Sequence, residues 1–185
     1  RASPEDLPAQ SGAAPPLAEL TIDGAQRSIR SGAISCVGLT QGYLRRIAAY
    51  DEPAGLNAIT TVNPNAPGRA RALDRQFAET GRMRRLHCIP VILKDNFDTA
   101  DMPTEAGSVA LAGFVPPDDA ELVRRLRAAD AIILAKSNMG EWAFSPYETV
   151  SATHGETRNA YDPTRVPAGS SGGTASAIAA GFGII

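Results

Sequence analysis

Lys94 is the residue whose type and position most directly suggest chemistry. It follows the apolar run from Ile89 to Leu93 without a break. Such a run predicts a buried strand, and α/β sheets place ligands and catalytic groups at the carboxyl ends of their strands. A lysine held there and partly withdrawn from water would have a lowered pKa and could act as a neutral base. For this segment alone, a surface lysine at a strand end stays open as the alternative interpretation.

A second candidate is the glycine- and serine-rich run of residues 168–177, which contains Ser170 and Ser171. Glycines and serines that open a helix of small residues form a tight turn with exposed backbone N–H groups. The run could cradle a phosphate, act as a flexible linker, or present hydroxyl groups for catalysis. It lacks the Gly-Lys-Ser/Thr ending of a phosphate loop. The alanine-rich segment after it argues against a linker.

Metal-dependent and histidine-dependent catalysis are both disfavoured by the sequence. The candidate metal ligands are His87, Cys88, Cys36 and His154, and no two of them stand at zinc-ligand spacing. Neither histidine lies near a Gly-x-Ser-x-Gly elbow, so a proton relay would need another base. Two cysteines in 185 residues do not form a disulfide framework. They could pair only if the fold brings them together, and we expect two buried or half-buried thiols.

These residues must be positioned by helices and strands that alternate along the chain. Gly32 predicts the end of a first helix and Ser35 the N-cap of a second. The alternation predicts an α/β fold around a parallel or mixed sheet, with the opening helices on one flank. Apolar spacing predicts helices over residues 17–30, 35–50, 66–80, 122–128 and 172–180, and strands over 57–62, 89–93 and 131–135.

Composition limits the partners that this chain can have. With 43% hydrophobic residues the chain can bury a core, and its net charge of −2 gives no reason to expect nucleic acid or an anionic membrane as partner. The sequence contains no run of about 18 apolar residues, so it predicts no transmembrane helix. Residues 1–16 are rich in Ala, Pro, Ser and Gly, which predicts a flexible leader. Such a leader is typical of a secreted or periplasmic protein without its signal peptide, and also of a processed cytoplasmic protein.

Together these segments resemble the amidase signature family over residues 17–185. The most specific parts are the strand end at Lys94, the segment from Lys136 to Trp142, and the run from Thr157 to Gly173. Each segment is a weak signal alone, but their order and spacing agree with the family. The resemblance implies an α/β, amidase-signature-type fold with a mixed central sheet flanked by helices. Residues 17–185 would form the N-terminal part of a single amidase domain.

The resemblance also assigns roles to individual positions. Lys94 corresponds to the lysine of a Ser–cisSer–Lys relay, and Ser170 to its middle serine, whose peptide bond with Gly169 is cis in the family. Ser171 corresponds to a supporting serine that hydrogen-bonds within the relay. The nucleophilic serine of the family would lie beyond Ile185, so we expect this chain alone to be inactive. Supporting glycines are expected at Gly169, Gly172 and Gly173.

The implied activity is that of a serine hydrolase that cleaves a small-molecule or peptide carboxamide. It would proceed through an acyl-enzyme and release ammonia or an amine, with no cofactor and no metal. The remainder of the same domain would be its structural partner, and a homodimer is one candidate assembly. Two alternatives stay open: an ammonia-generating subunit of a tRNA-dependent amidotransferase complex, and a phosphate-binding module. The sequence leaves the substrate itself undetermined.

Glu105 is an acidic residue in a loop, residues 104–108, that is usually less acidic in the family. If this loop lined the pocket, its carboxylate would favour a cationic or polar substrate. An outward-facing, solvated glutamate is the simpler expectation.

Overall fold

A three-stranded mixed sheet lies at the centre of a computed structural model that describes residues 16–185. Its strands are β1 (Ile59–Val62), β2 (Pro90–Lys94) and β3 (Ile132–Ser137). They lie in the order β1-β3-β2, with β1 antiparallel and β2 parallel to the central β3. The predicted α/β class with a mixed sheet is confirmed. The leader predicted for residues 1–16 falls outside the described residues apart from Pro16.

Five helices and a small hairpin surround this sheet in the part of the chain that the structure describes. None of these helices has the length and apolar character that crossing a membrane requires. The helices are α1 (Ile22–Arg30), α2 (Cys36–Tyr50), α3 (Ala66–Thr80), α4 (Glu121–Ala128) and α5 (Gly172–Ala179), and the hairpin consists of β4 (Val150–Ser151) and β5 (Gly155–Glu156). Short 3-10 turns occupy Leu17–Glu19, Val109–Leu111 and Glu141–Ala143.

The start of the first helix differs from the prediction of a continuous helix over residues 17–30. The backbone is extended at Leu20 and Thr21, and α1 begins only after them. The Thr21 hydroxyl accepts a hydrogen bond from the N–H of Gly24 at 3.1 Å, which makes Thr21 the N-cap. The N-cap predicted at Ser35 is confirmed, since its hydroxyl accepts from the N–H of Gly38 at 3.0 Å.

Alternate residues of the strands build a core on each face of the sheet. On β3, Ile132 and Leu134 point to one face, where they pack with residues of α1, α2, α3 and α5. Ile133 points to the other face and packs with Val91 of β2 and Val123 of α4. This alternation is the period of two expected for a strand buried on both sides. The sheet is therefore packed on both faces.

The two cysteines are not thiols, which corrects the expectation from the sequence. Cys36 at the start of α2 and Cys88 just before β2 form a disulfide with 5.3 Å between their Cα atoms. Both are fully buried. The chain turns at Cys88, where φ is +62°, and His87 and Cys88 are both fully buried. The two cysteines are 52 positions apart, so only the tertiary fold brings them together.

Candidate active site

Lys94 and Ser170 meet at the carboxyl end of the sheet, although 76 positions separate them in the chain. Lys94 ends β2 and shares a face of the strand with Ile92, because side chains alternate along a strand. Helix α5 packs against β2, and the loop before α5 carries Ser170. The ammonium nitrogen of Lys94 donates a hydrogen bond to the Ser170 hydroxyl at 2.7 Å. The fold thus delivers a basic group to a serine.

The surroundings of Lys94 favour its neutral form. The side chain is half-buried at the strand end, and this burial lowers the pKa of its ammonium group below the ordinary lysine value. A neutral amine at hydrogen-bond distance from a hydroxyl can accept its proton. The pair therefore has the geometry of a base and the group that it would deprotonate.

The glycines of the serine loop permit close contact with neighbouring backbone. The peptide bond between Gly169 and Ser170 is cis. A Cβ atom on Gly169 would collide with the carbonyl group of Glu148, and one on Gly173 with the backbone of Asn138. Only glycine fits these two positions, so the loop can press against residues that follow β3.

The other loop positions predicted as supporting lie at the start of α5. Ser171 is the N-cap residue of α5 and its side chain is exposed. Within the described residues, the Ser171 hydroxyl forms no hydrogen bond to Lys94 or Ser170. Gly172 is buried, and its N–H donates to the hydroxyl of Thr149 at 3.0 Å. That N–H is therefore already occupied, which weakens the interpretation of this loop as a phosphate cradle.

A second lysine lies beside the first, and the sequence analysis assigned no role to it. Lys136 on β3 is fully buried, and its ammonium nitrogen lies 3.3 Å from a carboxylate oxygen of Asp95. It also donates to the Pro103 carbonyl at 3.0 Å and to the Thr104 hydroxyl at 2.9 Å. Burial lowers the pKa of Lys136 and raises that of Asp95, and the attraction within the pair opposes both shifts. The signal available in the sequence was that Lys136 directly follows the predicted strand over residues 131–135 and that Asp95 follows Lys94.

Glu105 does not point outward, which corrects the simpler expectation. Its carboxylate is only 14% exposed and lies 2.9 Å from His154. It also accepts a hydrogen bond from the N–H of Gly113 at 2.8 Å. Burial raises the pKa of this carboxyl group, but the hydrogen bonds from Gly113 and His154 outweigh that effect and hold the pKa below its usual value. Glu105 thereby ties its loop to the turn between β4 and β5.

An open cavity of about 570 Å³ adjoins Ser170. Residues 143–147 line it together with Gly169 and Ser170. Phe144 is 91% exposed and Tyr147 81% exposed. The cavity brings space for a small molecule directly to the serine that contacts Lys94.

One group of metal-ligand side chains occurs among residues 16–185. Ligand atoms of Cys36, His87 and Cys88 lie within 4.8 Å of one another. The disulfide uses both sulfur atoms, and one ring nitrogen of His87 lies 3.4 Å from Asp130. This group therefore belongs to the buried core and not to the cavity beside Ser170.

Comparison with known proteins finds a match over most of this chain. A sequence model of the amidase family, described as "Amidase", matches residues 38–185. Among solved structures, the peptide amidase from Stenotrophomonas maltophilia superposes with a TM-score of 0.84 at 45% identity, covering 91% of this chain and 35% of that one. An amidase family protein from Bacillus anthracis superposes with a TM-score of 0.83 at 38% identity, covering 90% and 34%.

Curated relatives carry a different name. A Glutamyl-tRNA(Gln) amidotransferase subunit from Chloroflexus aurantiacus is 42% identical over 166 residues, which are 89% of this chain and 34% of the relative. The protein of the same name from Streptomyces coelicolor is 39% identical over 163 residues, or 88% and 32%. The chain thus spans about a third of the length of the relatives that it matches.

Proposed function

This chain belongs to the amidase family, and from that premise we propose that it supplies two members of a Ser–Ser–Lys relay that hydrolyses carboxamides. Lys94 is the base and Ser170 the middle serine. The observation that carries the proposal is the 2.7 Å hydrogen bond between them at the carboxyl end of the sheet. The lowered pKa of Lys94 and the cavity that reaches Ser170 support it.

In the proposed reaction, protons first move along the relay toward Lys94 and then move back toward the leaving group. Neutral Lys94 takes a proton from Ser170, which takes one from an attacking serine supplied by residues that follow position 185 in the full-length protein. That serine adds to the amide carbonyl, and backbone N–H groups stabilise the oxyanion by about 3 kcal/mol each. The proton returns through Ser170 to the leaving nitrogen. Water then hydrolyses the acyl-enzyme.

Substitution of the two relay residues tests the proposal. In the full-length enzyme we expect Lys94→Ala and Ser170→Ala each to lower kcat by about a thousandfold or more, because each interrupts proton transfer. Ser28→Ala is a matched control, since within residues 16–185 the Ser28 hydroxyl donates a hydrogen bond to the Gly24 carbonyl of α1 and to no other group. Steady-state hydrolysis of a peptide amide measures kcat, and circular dichroism checks the fold. Near-normal turnover in a folded Lys94→Ala variant would refute the assignment.

Labelling with a fluorophosphonate, followed by peptide mapping, tests where the nucleophile lies. We expect the label on a serine that follows position 185 in the full-length enzyme, and none on Ser170. A label on Ser170 itself would make that residue the nucleophile and would remove it from the middle of the relay.

The names of the curated relatives support a second candidate, in which the full-length protein is an ammonia-generating subunit of a tRNA-dependent amidotransferase. Purification of the native protein under mild conditions separates the two. A stand-alone amidase would elute alone and hydrolyse peptide amides. An amidotransferase component would co-purify with partner proteins and depend on them for turnover.

A further inference from the structure

A buried hydroxyl group joins the two flanks of the serine loop. Thr149 is fully buried, and its hydroxyl donates a hydrogen bond to the carbonyl of Ala168 at 2.8 Å. The same oxygen accepts a hydrogen bond from the N–H of Gly172 at 3.0 Å. A threonine hydroxyl has one donor hydrogen and two acceptor sites, so this side chain bonds in both directions. Ser170 lies midway between the two backbone groups that Thr149 holds.

The hairpin fixes the backbone of Thr149. Its carbonyl accepts a hydrogen bond from the N–H of Thr157 at 2.9 Å, next to the β4–β5 pairing of Val150 with Glu156. The Thr157 hydroxyl donates in turn to the carbonyl of Asn57 at 2.7 Å, which anchors the hairpin to the segment before β1. Thr149 is thus connected through the hairpin to the segment before β1, and this connection positions its hydroxyl group beside the serine loop.

Besides the hydrogen bond from Lys94, the other hydrogen bonds between the serine loop and residues outside it join backbone atoms. The N–H of Gly169 donates to Pro146 at 3.1 Å, and the carbonyl of Ser170 accepts from Gly140 at 3.0 Å. Apart from Lys94, Thr149 supplies the side chain that hydrogen-bonds residues 168–172 from outside, within the region that the structure describes. We propose that Thr149 is a positioning residue that holds the Ser170 hydroxyl opposite Lys94. The inference rests on the proposed relay function of Ser170.

Substitution of Thr149 in the full-length enzyme tests this role. Valine keeps the shape of threonine and removes the hydroxyl, so we expect Thr149→Val to lower kcat 10- to 100-fold with KM changed less than threefold. Displacement of a reacting group by about 1 Å can cost this much. Thr149→Ser keeps the hydroxyl and should restore kcat to within threefold of the wild type. Thr149→Cys, with its weak S–H donor, should fall between serine and valine.

Thr99→Val is the matched control. Thr99 is also fully buried, and its hydroxyl donates to the carbonyl of Met102 at 3.1 Å, away from the serine loop. We expect this variant to keep kcat within threefold. An equal loss of kcat in Thr99→Val and Thr149→Val would overturn the proposal, as would a Thr149→Ser variant no better than valine. If Thr149→Val does not fold, the kcat values of the other two variants decide. A higher kcat for Thr149→Ser than for Thr149→Cys supports the proposal, and an equal or lower one overturns it.

Amide hydrogen exchange provides a second measurement that needs no turnover. In the full-length protein, the N–H of Gly172 should exchange at least tenfold faster in Thr149→Val and at the wild-type rate in Thr99→Val. Unchanged protection of Gly172 in Thr149→Val would overturn the inference even if the enzyme hydrolyses no amide. Failure of the wild type to hydrolyse amides would refute the proposed function instead, so the two failures are distinguishable.

Discussion

The two lysines at the end of the sheet differ in what faces them. The ammonium group of Lys136 faces the carboxylate of Asp95, whose charge and hydrogen bond raise the pKa of the lysine against the effect of burial. Lys94 faces a hydroxyl group, and burial alone accounts for its lowered pKa. The same residue type therefore serves two purposes within neighbouring strands. Lys136 thereby contacts the loop at Pro103 and Thr104, whereas Lys94 contacts the hydroxyl group that the proposed relay would deprotonate.

The lowered pKa of Lys94 predicts a pH dependence of kcat/KM in the full-length enzyme. The proposed relay needs neutral Lys94, so kcat/KM should rise with pH as the ammonium group loses its proton. Because burial lowers this pKa, the midpoint should lie below that of a free lysine side chain, about 10.4. The pH profile of kcat/KM measures this value for the free enzyme.

Lys94→Arg is the control for this pH dependence, since arginine stays charged at every pH of the assay. We expect no measurable turnover from it. An active Lys94→Arg enzyme, or a midpoint at the free-lysine value, would contradict a neutral lysine base.

At this scale the sequence indicated Lys94 and Ser170 as candidates more clearly than the residues that contact the serine loop. Lys94 follows an apolar strand directly and Ser170 lies in a glycine-rich run, so both have local signals. Thr149 and Glu105 have none, because their roles depend on residues that only the fold brings near. The hydroxyl of Thr149 and the carboxylate of Glu105 could equally be solvated in a chain of this pattern.

Among the elements, α2 shows how local and tertiary capping combine. The Ser35 hydroxyl bonds the N–H of Gly38, as the sequence predicts. The carboxylate of Asp74, on α3, accepts from the N–H of Cys36 at 2.8 Å and from that of Val37 at 3.0 Å. Three of the free N–H groups at the start of α2 are thereby satisfied. The second cap also joins α2 to α3 and was not predictable from local spacing.

Loss of the cap from α3 should destabilise the protein. Asp74→Ala leaves two partly buried N–H groups without their charged acceptor, so we expect it to lower the free energy of unfolding by about 1–3 kcal/mol. Asp118→Ala is the matched control, because Asp118 is exposed. Urea unfolding of the full-length variants measures the difference. Equal midpoints for the two variants would show that Asp74 contributes little to stability.

In the molecule as a whole, the disulfide links the start of helix α2 to the segment just before β2, the strand that carries Lys94. It closes a loop between residues 52 positions apart. A cross-link of this span lowers the entropy of the unfolded chain and is worth about 4 kcal/mol in the loop-entropy treatment. Its two sulfur atoms are fully buried, so the bond adds to a packed region.

Reduction of this bond should therefore lower stability. We expect a reducing agent to lower the free energy of unfolding of the full-length protein by about 2–4 kcal/mol. The double variant Cys36→Ala, Cys88→Ala should be equally destabilised and should not respond to the reductant. Urea unfolding with and without dithiothreitol measures both effects. If mass analysis shows that the reductant has freed both thiols, an unchanged urea midpoint would refute the predicted contribution of the bond to stability.

The order of helices and strands was predictable because apolar spacing is a local property. The strands over residues 89–93 and 131–135 and the helices around them lie within a few residues of their predicted bounds. The central place of β3 and the antiparallel pairing of β1 were not predicted, because spacing carries no information about strand neighbours. The hairpin that holds Thr149 was missed since each of its strands has only two residues.

The scarcity of lysine has a practical consequence for covalent modification. Only two of the 18 basic residues of this sequence are lysines, and both lie at the carboxyl end of the sheet. Lys136 is fully buried, so Lys94 is the side-chain amine that an amine-directed cross-linker or immobilisation resin could reach in residues 16–185. Within these residues, such a reagent would therefore be directed at the proposed base. Coupling through carboxylates or guanidinium groups would leave it intact.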